Sequence, residues 1–582
     1  MNNDIYDPLT EYSQVFRERF KNIAEATFTE MANEARVDIA TNQTTCKKIY
    51  KYEAQARSIK RRRYTFIALC VILWIILLFC ICGTLYICIV DRAWEYTDIS
   101  TKAILVVPLI IIPVPLFAWI HPLIKKLTGE GRQIKQIIQN LYKEAWEQME
   151  PLNRLYDWDV LTRMITQTVP KLEFDPYFTT QRLADLKETY GWDDSFNQDR
   201  SVIYSHSGLI KGNPFIICRT RRMEMGFKTY EGYKTIHWTT TERGSDGNYH
   251  TVHHSQTLTA TITKPYPYYK EKSRLIYGNT AAPDLTFLRE KSGLADRIGS
   301  IAYKLQRRSL RKKARNLKNA NYAMMSNEEF EVVFDTSNRN DNQQHALLFT
   351  PLAQQSMIKL LQDETEGYGD DFDFEKRRMI NTIISDHMQE LNFDFNPKLY
   401  HNFDFNKAQA GFVQINSEYF RALYFNLAPL LCVPMYQQIR PHHDIYGIDM
   451  KPQSSFWEHE AQANLWGQSK FEHPECVTDS ILKTEIIKSE NGNSEISVYA
   501  HGHRAERRMQ IEVVYGGDGR YHDVPVYWDE YIPVTGKGTM YIKEDNKEEK
   551  RFASHTERIE YINKFLSDSD FTIYRRNIAS KI

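Results

Sequence analysis

The sequence predicts a membrane-anchored protein with a two-span transmembrane hairpin among N-terminal helices, then a cytoplasmic α+β domain and a second β-rich α+β domain. Two long runs without charge, Tyr64 to Val90 and Ala103 to Ile124, predict the hairpin. From about residue 152 the pattern changes to short alternating segments separated by turn signals, which is typical of α+β structure. After about residue 430, Asn-Gly and Asp-Gly turns between alternating runs predict the β-rich part.

The first apolar run is the stronger of the two membrane signals. It has 27 residues, and a helix needs roughly 20 to cross the hydrocarbon core. A buried core helix is the alternative interpretation, but a soluble helix of this length would show a polar face. The second run contains several prolines, which kink helices, so a re-entrant segment is the alternative to a second span. These prolines are Pro108, Pro113, Pro115 and Pro122.

Charge predicts the orientation of the hairpin. Basic residues cluster before the first run, at 57–63, and after the second, at 125–135. The linker 91–102 holds only two basic and three acidic residues. Because cytoplasmic flanks carry the excess of Lys and Arg, both termini are expected in the cytoplasm and the linker outside. No cleaved signal peptide is expected, because the first run begins too far from the N-terminus.

The sequence divides into segments of distinct pattern. Apolar residues at spacings of three and four predict a long amphipathic helix over 8–60 and another over 125–150, which should pack together as a stalk. The predicted segments are a helical stalk at 1–63, spans at 64–90 and 103–124 with a loop at 91–102, a juxtamembrane helix at 125–150, and domains at 151–430 and 431–582.

Within the soluble part, alternation and turn residues predict several hairpins and helices. Thr235 to Lys264 predicts a long β-hairpin around a Gly-containing turn. Further hairpins are expected from Ile481–Ser489 with Glu495–Ala500 and from Met509–Tyr515 with Tyr521–Trp528. Strands are expected at Phe330–Phe334 and Ala346–Phe349. Helices are expected at 152–167, 293–318, 375–390, 455–466, after the N-cap Thr350 with Pro351, and after the capping residue Ser554.

Composition excludes several classes of protein. Lys+Arg and Asp+Glu both number 74, which argues against a uniformly basic nucleic-acid binder. A hydrophobic fraction of 42% is too high for a disordered chain. A mean hydropathy of −0.52 excludes a polytopic transporter. The cysteines outside the first span are scattered with no CxxC pair, a pattern typical of a reducing compartment.

The motifs of the common enzyme classes are absent from the sequence. There is no GxxxxGK[ST] phosphate loop, GxSxG elbow, HExxH pair or kinase HRD set. The run Gly516 to Gly519 lies between two predicted strands, which indicates a hairpin turn and not a phosphate cradle. No catalytic residue and no cofactor are therefore predicted.

A metal site is the enzyme alternative. Thiols and imidazoles suit zinc, and several of them crowd into one stretch of the sequence. Their spacings match no closed zinc site, so surface or internally bonded histidines are the competing interpretation. The candidate ligands are Cys432, His442, His443, His459, His473 and Cys476.

A basic helix is the principal binding candidate. Its eight cations fall within 15 residues and could hold an anionic leaflet at about 1 kcal/mol each. Nucleic acid or an acidic protein would use the same charges, and a solvated face paired with the acidic loop 363–373 is the structural alternative. The cations are Lys304, Arg307, Arg308, Arg311, Lys312, Lys313, Arg315 and Lys318.

One stretch resembles a known family. In residues 325–361, Phe330 and Phe334 precede a polar gap, a Leu-rich segment, Thr350-Pro351 and a helix that ends in leucines. This pattern, and Asp199–Pro214 with its Lys211-Gly212, resembles the bacterial membrane proteins known as domain of unknown function 3137. The resemblance covers about residues 10–430 and implies a bacterial inner-membrane location. That family has no established activity, so the resemblance implies no catalytic residues.

These observations predict a membrane-tethered cytoplasmic binding or scaffold module. Its expected partners are the lipid bilayer, with anionic lipid head groups or another membrane protein, and a homo-oligomer is compatible with the sequence. An uncharacterised, metal-dependent enzyme is the first alternative. A channel or transporter component is the second, and it would require oligomers because two spans cannot enclose a pathway.

Overall fold

A computed structural model describes residues 5–86, 98–243, 248–315, 322–440, 453–490, 492–544 and 572–581, with 554, 556, 557, 560 and 561. Contacts divide the chain into two compact units. The larger comprises Met1–Thr27, Asp157–Pro397 and Val413–Ile582. The smaller comprises Phe28–Tyr156 and Lys398–Phe412.

The helices and strands are numbered in chain order. The helices are α1 Pro8–Glu11, α2 Arg17–Glu34, α3 Ile39–Leu85, α4 Ile99–Ile111, α5 Pro113–Pro115, α6 His121–Asn153, α7 Val160–Thr168, α8 Thr180–Glu188, α9 Ile301–Ala314, α10 Glu328–Phe334, α11 Asn342–Leu348, α12 Pro351–Gln362, α13 His387–Glu390, α14 Phe405–Leu431 and α15 Phe456–Trp466. The strands are β1 Leu172–Phe174, β2 Arg200–Ile210, β3 Asn213–Arg243, β4 Tyr249–Gly278, β5 Thr286–Arg289, β6 Phe372–Arg377, β7 Ile380–Ser385, β8 Ile481–Glu490, β9 Asn493–Tyr515, β10 Tyr521–Glu544, β11 Thr572–Arg575 and β12 Ile578–Lys581.

The smaller unit contains two helices that are long and apolar enough to cross a membrane, Ile39–Leu85 and Val106–Asn153. Only 11% of each apolar window is buried. Large side chains such as Phe79 and Trp119 are 73% and 76% exposed. A core helix would be mostly buried, so this exposure argues against the core-helix alternative and favours a bilayer as the surrounding medium.

The second apolar run remains helical through its prolines. Ile112 and Leu116 both have right-handed helical φ and ψ values. The Leu116 amide still donates to the Ile112 carbonyl at 3.3 Å, and a π-helical turn over Leu116–Ile120 leads directly into α6. The described backbone therefore contains no reversal of the kind that a re-entrant segment needs. The predicted linker lies mostly outside the described residues.

The predicted stalk is present, with one correction. Helices α3 and α6 pack along each other, where Tyr142 donates to Glu53 at 2.7 Å and Gln148 donates to Thr45 at 3.2 Å. The helix predicted over 8–60 is not continuous, because the chain leaves helical geometry after Glu34. Asp38 then caps α3 by accepting a hydrogen bond from the Thr41 amide at 3.0 Å.

The larger unit is built around two antiparallel sheets. The described residues form a seven-stranded sheet of order β1-β2-β3-β4-β7-β6-β5 and a five-stranded sheet of order β11-β12-β10-β9-β8. The predicted hairpin over 235–264 is confirmed and is longer than expected, since β3 and β4 pair from Phe215 to Arg243. Its turn at 244–247 lies outside the described residues.

The second long hairpin corrects the predicted strand boundaries. Strand β9 runs unbroken and pairs with β8 through its first half and with β10 along its whole length, so two predicted hairpins share one strand. The β9–β10 hairpin packs on β3–β4 through a small apolar core. Gly232 lies against this contact, where a Cβ would meet the Pro525 carbonyl oxygen at 2.3 Å.

Three other predictions of secondary structure were wrong. The segments predicted as strands at 330–334 and 346–349 belong to helices α10 and α11, which begin at the side-chain caps Asn327 and Asp341. The helix predicted over 375–390 is instead the β6–β7 hairpin followed by the short α13. Arg378 takes a positive φ of 56° in its turn. The predicted cap Thr350 is confirmed.

Segments on both sides of residue 430 share one core in the larger unit. Helix α15 packs on β2, and Trp457 is buried in a cluster with Phe178, Leu186 and Ile216. This cluster lies under one face of the seven-stranded sheet and supports the candidate site described next.

Candidate functional site

A cleft of about 700 Å³ opens on the larger unit. Strands β4, β6 and β7 contribute its floor, and the segment 191–200 contributes its wall. Ile276, Ile380 and Ile384 supply apolar surface to the floor. Arginines from three separate parts of the chain line the same space: Arg200, Arg274 and Arg377.

An aromatic cluster holds the wall of this cleft in place. The Phe196 ring is parallel to the buried Trp457 ring, with 6.3 Å between centroids and 2° between planes. Trp192 contacts both rings, at 6.2 Å from Phe196 and 5.5 Å from Trp457. Because Trp457 is anchored in the core, the position of Phe196 is fixed before any ligand arrives.

Two guanidinium groups share the Phe196 ring. The guanidinium carbon of Arg200 lies 4.2 Å from the ring centroid and that of Arg274 lies 5.1 Å from it. The ring face attracts each cation. Burial lowers the pKa of both arginines, and the charge of Arg200 further lowers the pKa of Arg274 because like charges repel.

The carboxylates near the cleft neutralise these cations unequally. Asp199 forms an ion pair with Arg222 at 2.6 Å and lies 3.7 Å from Arg200. Glu375 is paired with Arg377. Among the described residues no carboxylate lies within 4.0 Å of Arg274, which donates to the Thr220 hydroxyl at 3.1 Å and to the Lys272 carbonyl at 3.4 Å. The lining therefore holds three carboxylates, Asp193, Asp199 and Glu375, beside its three arginines, and Arg274 is the arginine that has no ion pair among the described residues.

The predicted basic helix is α9, and part of its charge is used internally. Ser300 caps it through the Tyr303 amide at 3.2 Å. Arg307 and Arg311 both bind Glu328, each with a donor at 2.7 Å. Lys313 donates to the Ser337 carbonyl at 2.6 Å. The cations of the helix therefore divide into an inner, paired set and an outer set.

The acidic loop 363–373 is not the partner of this helix. Asp370 pairs with Arg289, and Asp371 pairs with His387. Asp363 accepts hydrogen bonds from two amides of its own loop. The structural alternative, in which the loop pairs with the helix, is not supported, because these carboxylates bind other partners among the described residues.

The outer face of α9 combines apolar and cationic side chains. Ile301 is 78% exposed and Leu305 is 58% exposed. Arg308 and Lys312 follow them at spacings of three and four, which places all four on one side of the helix. Further exposed cations of the helix region are Lys304 and Arg315, whereas Lys318 lies outside the described residues.

The predicted metal ligands do not form a site in the described chain. Cys432 is buried at the end of α14, and His459 is buried with its Nε2 2.9 Å from the Ser454 hydroxyl. His473 accepts from the Glu475 amide at 3.2 Å, and the Cys476 thiol donates to the Thr478 carbonyl at 3.3 Å. Among the residues that the structure describes, no group of three or more His, Cys, Asp or Glu could hold a metal ion. His442 and His443 lie outside them.

A buried charge cluster escaped the sequence analysis. Glu458 on α15 forms ion pairs with Arg575 and Arg576 of the β11–β12 turn, and Arg575 also pairs with Asp394. His206 on β2 lies 3.1 Å from Asp394. All five side chains are buried. Burial alone would raise the pKa of Glu458, but the two arginines hold it below its usual value.

This cluster joins segments that are far apart in sequence, and none of its five residues is among those described as lining the cleft. Burial and Arg576 lower the pKa of His206 to about 4. The imidazole is therefore neutral near pH 7, and its contact with Asp394 is a hydrogen bond. The cluster works as an internal tie between the C-terminal strands and the centre of the larger unit.

No known protein family, curated protein or solved structure shows significant similarity to this chain.

Proposed function

We propose that this chain is a membrane-tethered binding module that lays the outer face of α9 on anionic lipid head groups. The observation that carries the proposal is the exposure of Ile301 and Leu305 on the same face as Arg308 and Lys312. Helices that lie in a membrane interface combine an apolar strip with flanking cations in this way. The two apolar helices of the smaller unit would supply the permanent anchor.

The two proposed membrane contacts, the apolar helices and the outer face of α9, have different energetic roles. An inserted span is effectively irreversible, whereas a surface cation contributes about 1 kcal/mol near an anionic leaflet. Tethering raises the effective concentration of lipid around α9, so a weak contact is sufficient. Because an excess of Lys and Arg flanks the two apolar runs, the proposal places α9 and both termini on the cytoplasmic side of a bacterial inner membrane.

Hydrogen exchange on the full chain in lipid nanodiscs tests the proposal. Peptides that cover 301–314 would be compared in discs of phosphatidylcholine alone and in discs that also contain phosphatidylglycerol. We expect slower exchange in α9 only with the anionic lipid, and loss of this protection at high salt because free ions screen the surface.

A matched pair of triple variants separates the lipid contact from general charge. Leu305→Ser, Arg308→Ser and Lys312→Ser together should abolish the lipid-dependent protection. The control, Arg507→Ser, Arg508→Ser and Ile511→Ser on β9, removes two cations and one apolar side chain from exposed positions on the two faces of another element. Equal exchange of α9 in the two kinds of disc would contradict the proposal.

A further inference from the structure

The arginine-lined cleft has no role in the membrane contact proposed for α9. Its described lining includes no residue of that helix. Its volume of about 700 Å³ falls within the range of roughly 300–1,000 Å³ that small-molecule sites occupy. The cleft therefore requires its own explanation, and the inference drawn from it does not depend on the proposed function.

We propose that this cleft binds a small organic phosphate, whose phosphate group is held by the guanidinium groups of Arg200 and Arg274. The two groups lie on one aromatic ring, at 4.2 Å and 5.1 Å from its centroid. Holding like charges together is unfavourable unless an anion compensates them. Asp199 lies 3.7 Å from Arg200. Among the described residues Arg274 has no carboxylate within ion-pair distance, so a bound anion would pair with this second guanidinium.

The number and shape of the cations favour phosphate among anions. A guanidinium offers paired N–H donors that match two oxygens of one anion. A phosphate monoester carries close to two negative charges near pH 7 and three terminal oxygens, so it can face both arginines at once. A carboxylate has one charge and two oxygens, which satisfy a single guanidinium. The buried Nε of Arg200 also has no hydrogen-bond partner among the described residues.

The remainder of the cleft favours an organic group attached to that phosphate. Inorganic phosphate would fill a small part of the space and leave the partly exposed Ile384 in contact with water. An apolar or planar group would cover this side chain and gain free energy from the surface removed from water. The source of such a phosphate could be a soluble nucleotide or the glycerol phosphate of a lipid head group, and the experiment separates the two.

The cleft is organised before a ligand binds. Phe196 is fixed against Trp457 and Trp192, and the Arg200 guanidinium donates to the Phe196 carbonyl at 2.7 Å. Arg274 is held by the Thr220 hydroxyl at 3.1 Å. Since these side chains do not have to be ordered by the ligand, more of the interaction free energy appears as affinity.

Calorimetric titration of the full chain in neutral phosphatidylcholine nanodiscs tests this inference. The three probes are inorganic phosphate, adenosine monophosphate and glycerol 3-phosphate. We expect saturable binding, with at least tenfold higher affinity for one organic phosphate than for inorganic phosphate. Preference for adenosine monophosphate identifies a nucleotide-type ligand, and preference for glycerol 3-phosphate identifies a lipid head group. Equal affinity for all three probes would overturn the organic part of the proposal.

Two charge-matched variants make the test specific. Arg274→Gln should weaken binding at least tenfold. Arg221→Gln removes the same charge from the opposite face of the sheet, where Arg221 pairs with Glu271 at 2.7 Å, and should leave binding unchanged. Arg274→Lys keeps the charge without the paired donors, so its affinity should lie between those of the wild-type chain and the Arg274→Gln variant. This variant still tests the site if the glutamine variant does not fold. No saturable binding of any probe, or equal loss of binding in the Arg274→Gln and Arg221→Gln variants, would overturn the proposal.

Discussion

The apolar helices of the smaller unit expose apolar side chains, whereas the charge cluster of the larger unit buries charged ones. In the helices, Phe79 and Trp119 are largely exposed. In the cluster, Glu458, Arg575 and Arg576 are almost completely buried. Each arrangement would be unfavourable in an ordinary soluble domain, where apolar side chains leave water and charges remain in it.

The two arrangements are stable in different surroundings. Exposed apolar surface on this scale is stable when hydrocarbon replaces water around it. Buried charges are tolerated when they are paired and hydrogen-bonded, because the partners replace the lost hydration. Glu458 satisfies this condition, since it also accepts from the Phe178 amide at 2.9 Å and the Ser205 hydroxyl at 3.1 Å.

Removal of the central carboxylate of the cluster should have the largest effect on stability. Glu458→Ala leaves two buried guanidinium groups with one carboxylate, Asp394, between them. Breaking a buried pair typically costs about 3–5 kcal/mol because an uncompensated charge remains. Denaturant unfolding of the full chain in detergent, followed by tryptophan fluorescence, would measure it. A loss below about 1 kcal/mol, the range of an exposed pair, would show that water already solvates the cluster.

A charge placed on an apolar helix should have the next largest effect. Ile75 lies on the exposed surface of α3. Lysine near the centre of a span costs roughly 2.5–3.5 kcal/mol on the insertion scale, so Ile75→Lys should increase the fraction released from membranes by alkaline carbonate. Gln55→Lys, on the same helix outside the apolar run, is the control. Equal release of the two variants would contradict a membrane-spanning role for this segment.

The buried histidines predict a third effect, on the pH dependence of stability. Burial lowers the pKa of His459 to about 4, whereas an unfolded histidine titrates near pH ~6.5. Between these two pH values the unfolded chain therefore binds a proton at this histidine and the folded chain does not. As pH falls from about 6.5 to 4, this group should lower the free energy of unfolding by at most about 1.4 kcal/mol per pH unit.

His459→Gln isolates that contribution from its neighbours. The pKa of Glu460 is raised to about 7 by burial, and this carboxyl acts in the opposite direction over a similar pH range. Both chains contain Glu460, so its contribution cancels when the pH dependence of the free energy of unfolding is compared between the wild-type chain and the glutamine variant. Identical pH profiles of unfolding would mean that the pKa of His459 is the same in the folded and the unfolded chain.

An exposed ion pair should give the smallest effect. Asp529 on β10 pairs with Arg507 on β9 at 3.1 Å, and the arginine is mostly exposed. Surface pairs contribute about 0–1 kcal/mol because water and salt screen them. Asp529→Ala should therefore change the denaturation midpoint much less than Glu458→Ala does. A comparable loss from both variants would remove the distinction between buried and exposed charge on which the comparison depends.

Local signals predicted much of the fold. The cap at Thr350, the helix that ends at Trp466 and the long hairpin around 244–247 were readable because a few neighbouring residues determine them. The helices α10 and α11 were missed because their short apolar runs also fit a strand, and length could not decide between the two. The β6–β7 hairpin was missed because its turn at Arg378 lacks the usual glycine or asparagine.

The candidate site was much less predictable than the fold. Arg274 and Ile380 are far apart in sequence and meet through the pairing of β4 with β7. Phe196 comes from a third segment and meets Arg274 only through a contact between side chains. Proximity in sequence was misleading as well. Cys432 and Cys476 are close in sequence and were grouped as candidate metal ligands, although Cys432 is buried at the end of a helix. A single sequence gives no signal for a charge such as Glu458 that is buried by partners more than a hundred residues away.

Photo-crosslinking to lipids tests the central claim most directly. The full chain would be reconstituted with diazirine-bearing phosphatidylcholine or phosphatidylglycerol, irradiated, digested and mapped by mass spectrometry. We predict labelling of peptides from 64–86 and 99–124 by both lipids, and labelling of 301–314 by phosphatidylglycerol alone. Absence of label from the two apolar segments would contradict the membrane anchor, and equal labelling of α9 by both lipids would contradict the recognition of anionic head groups.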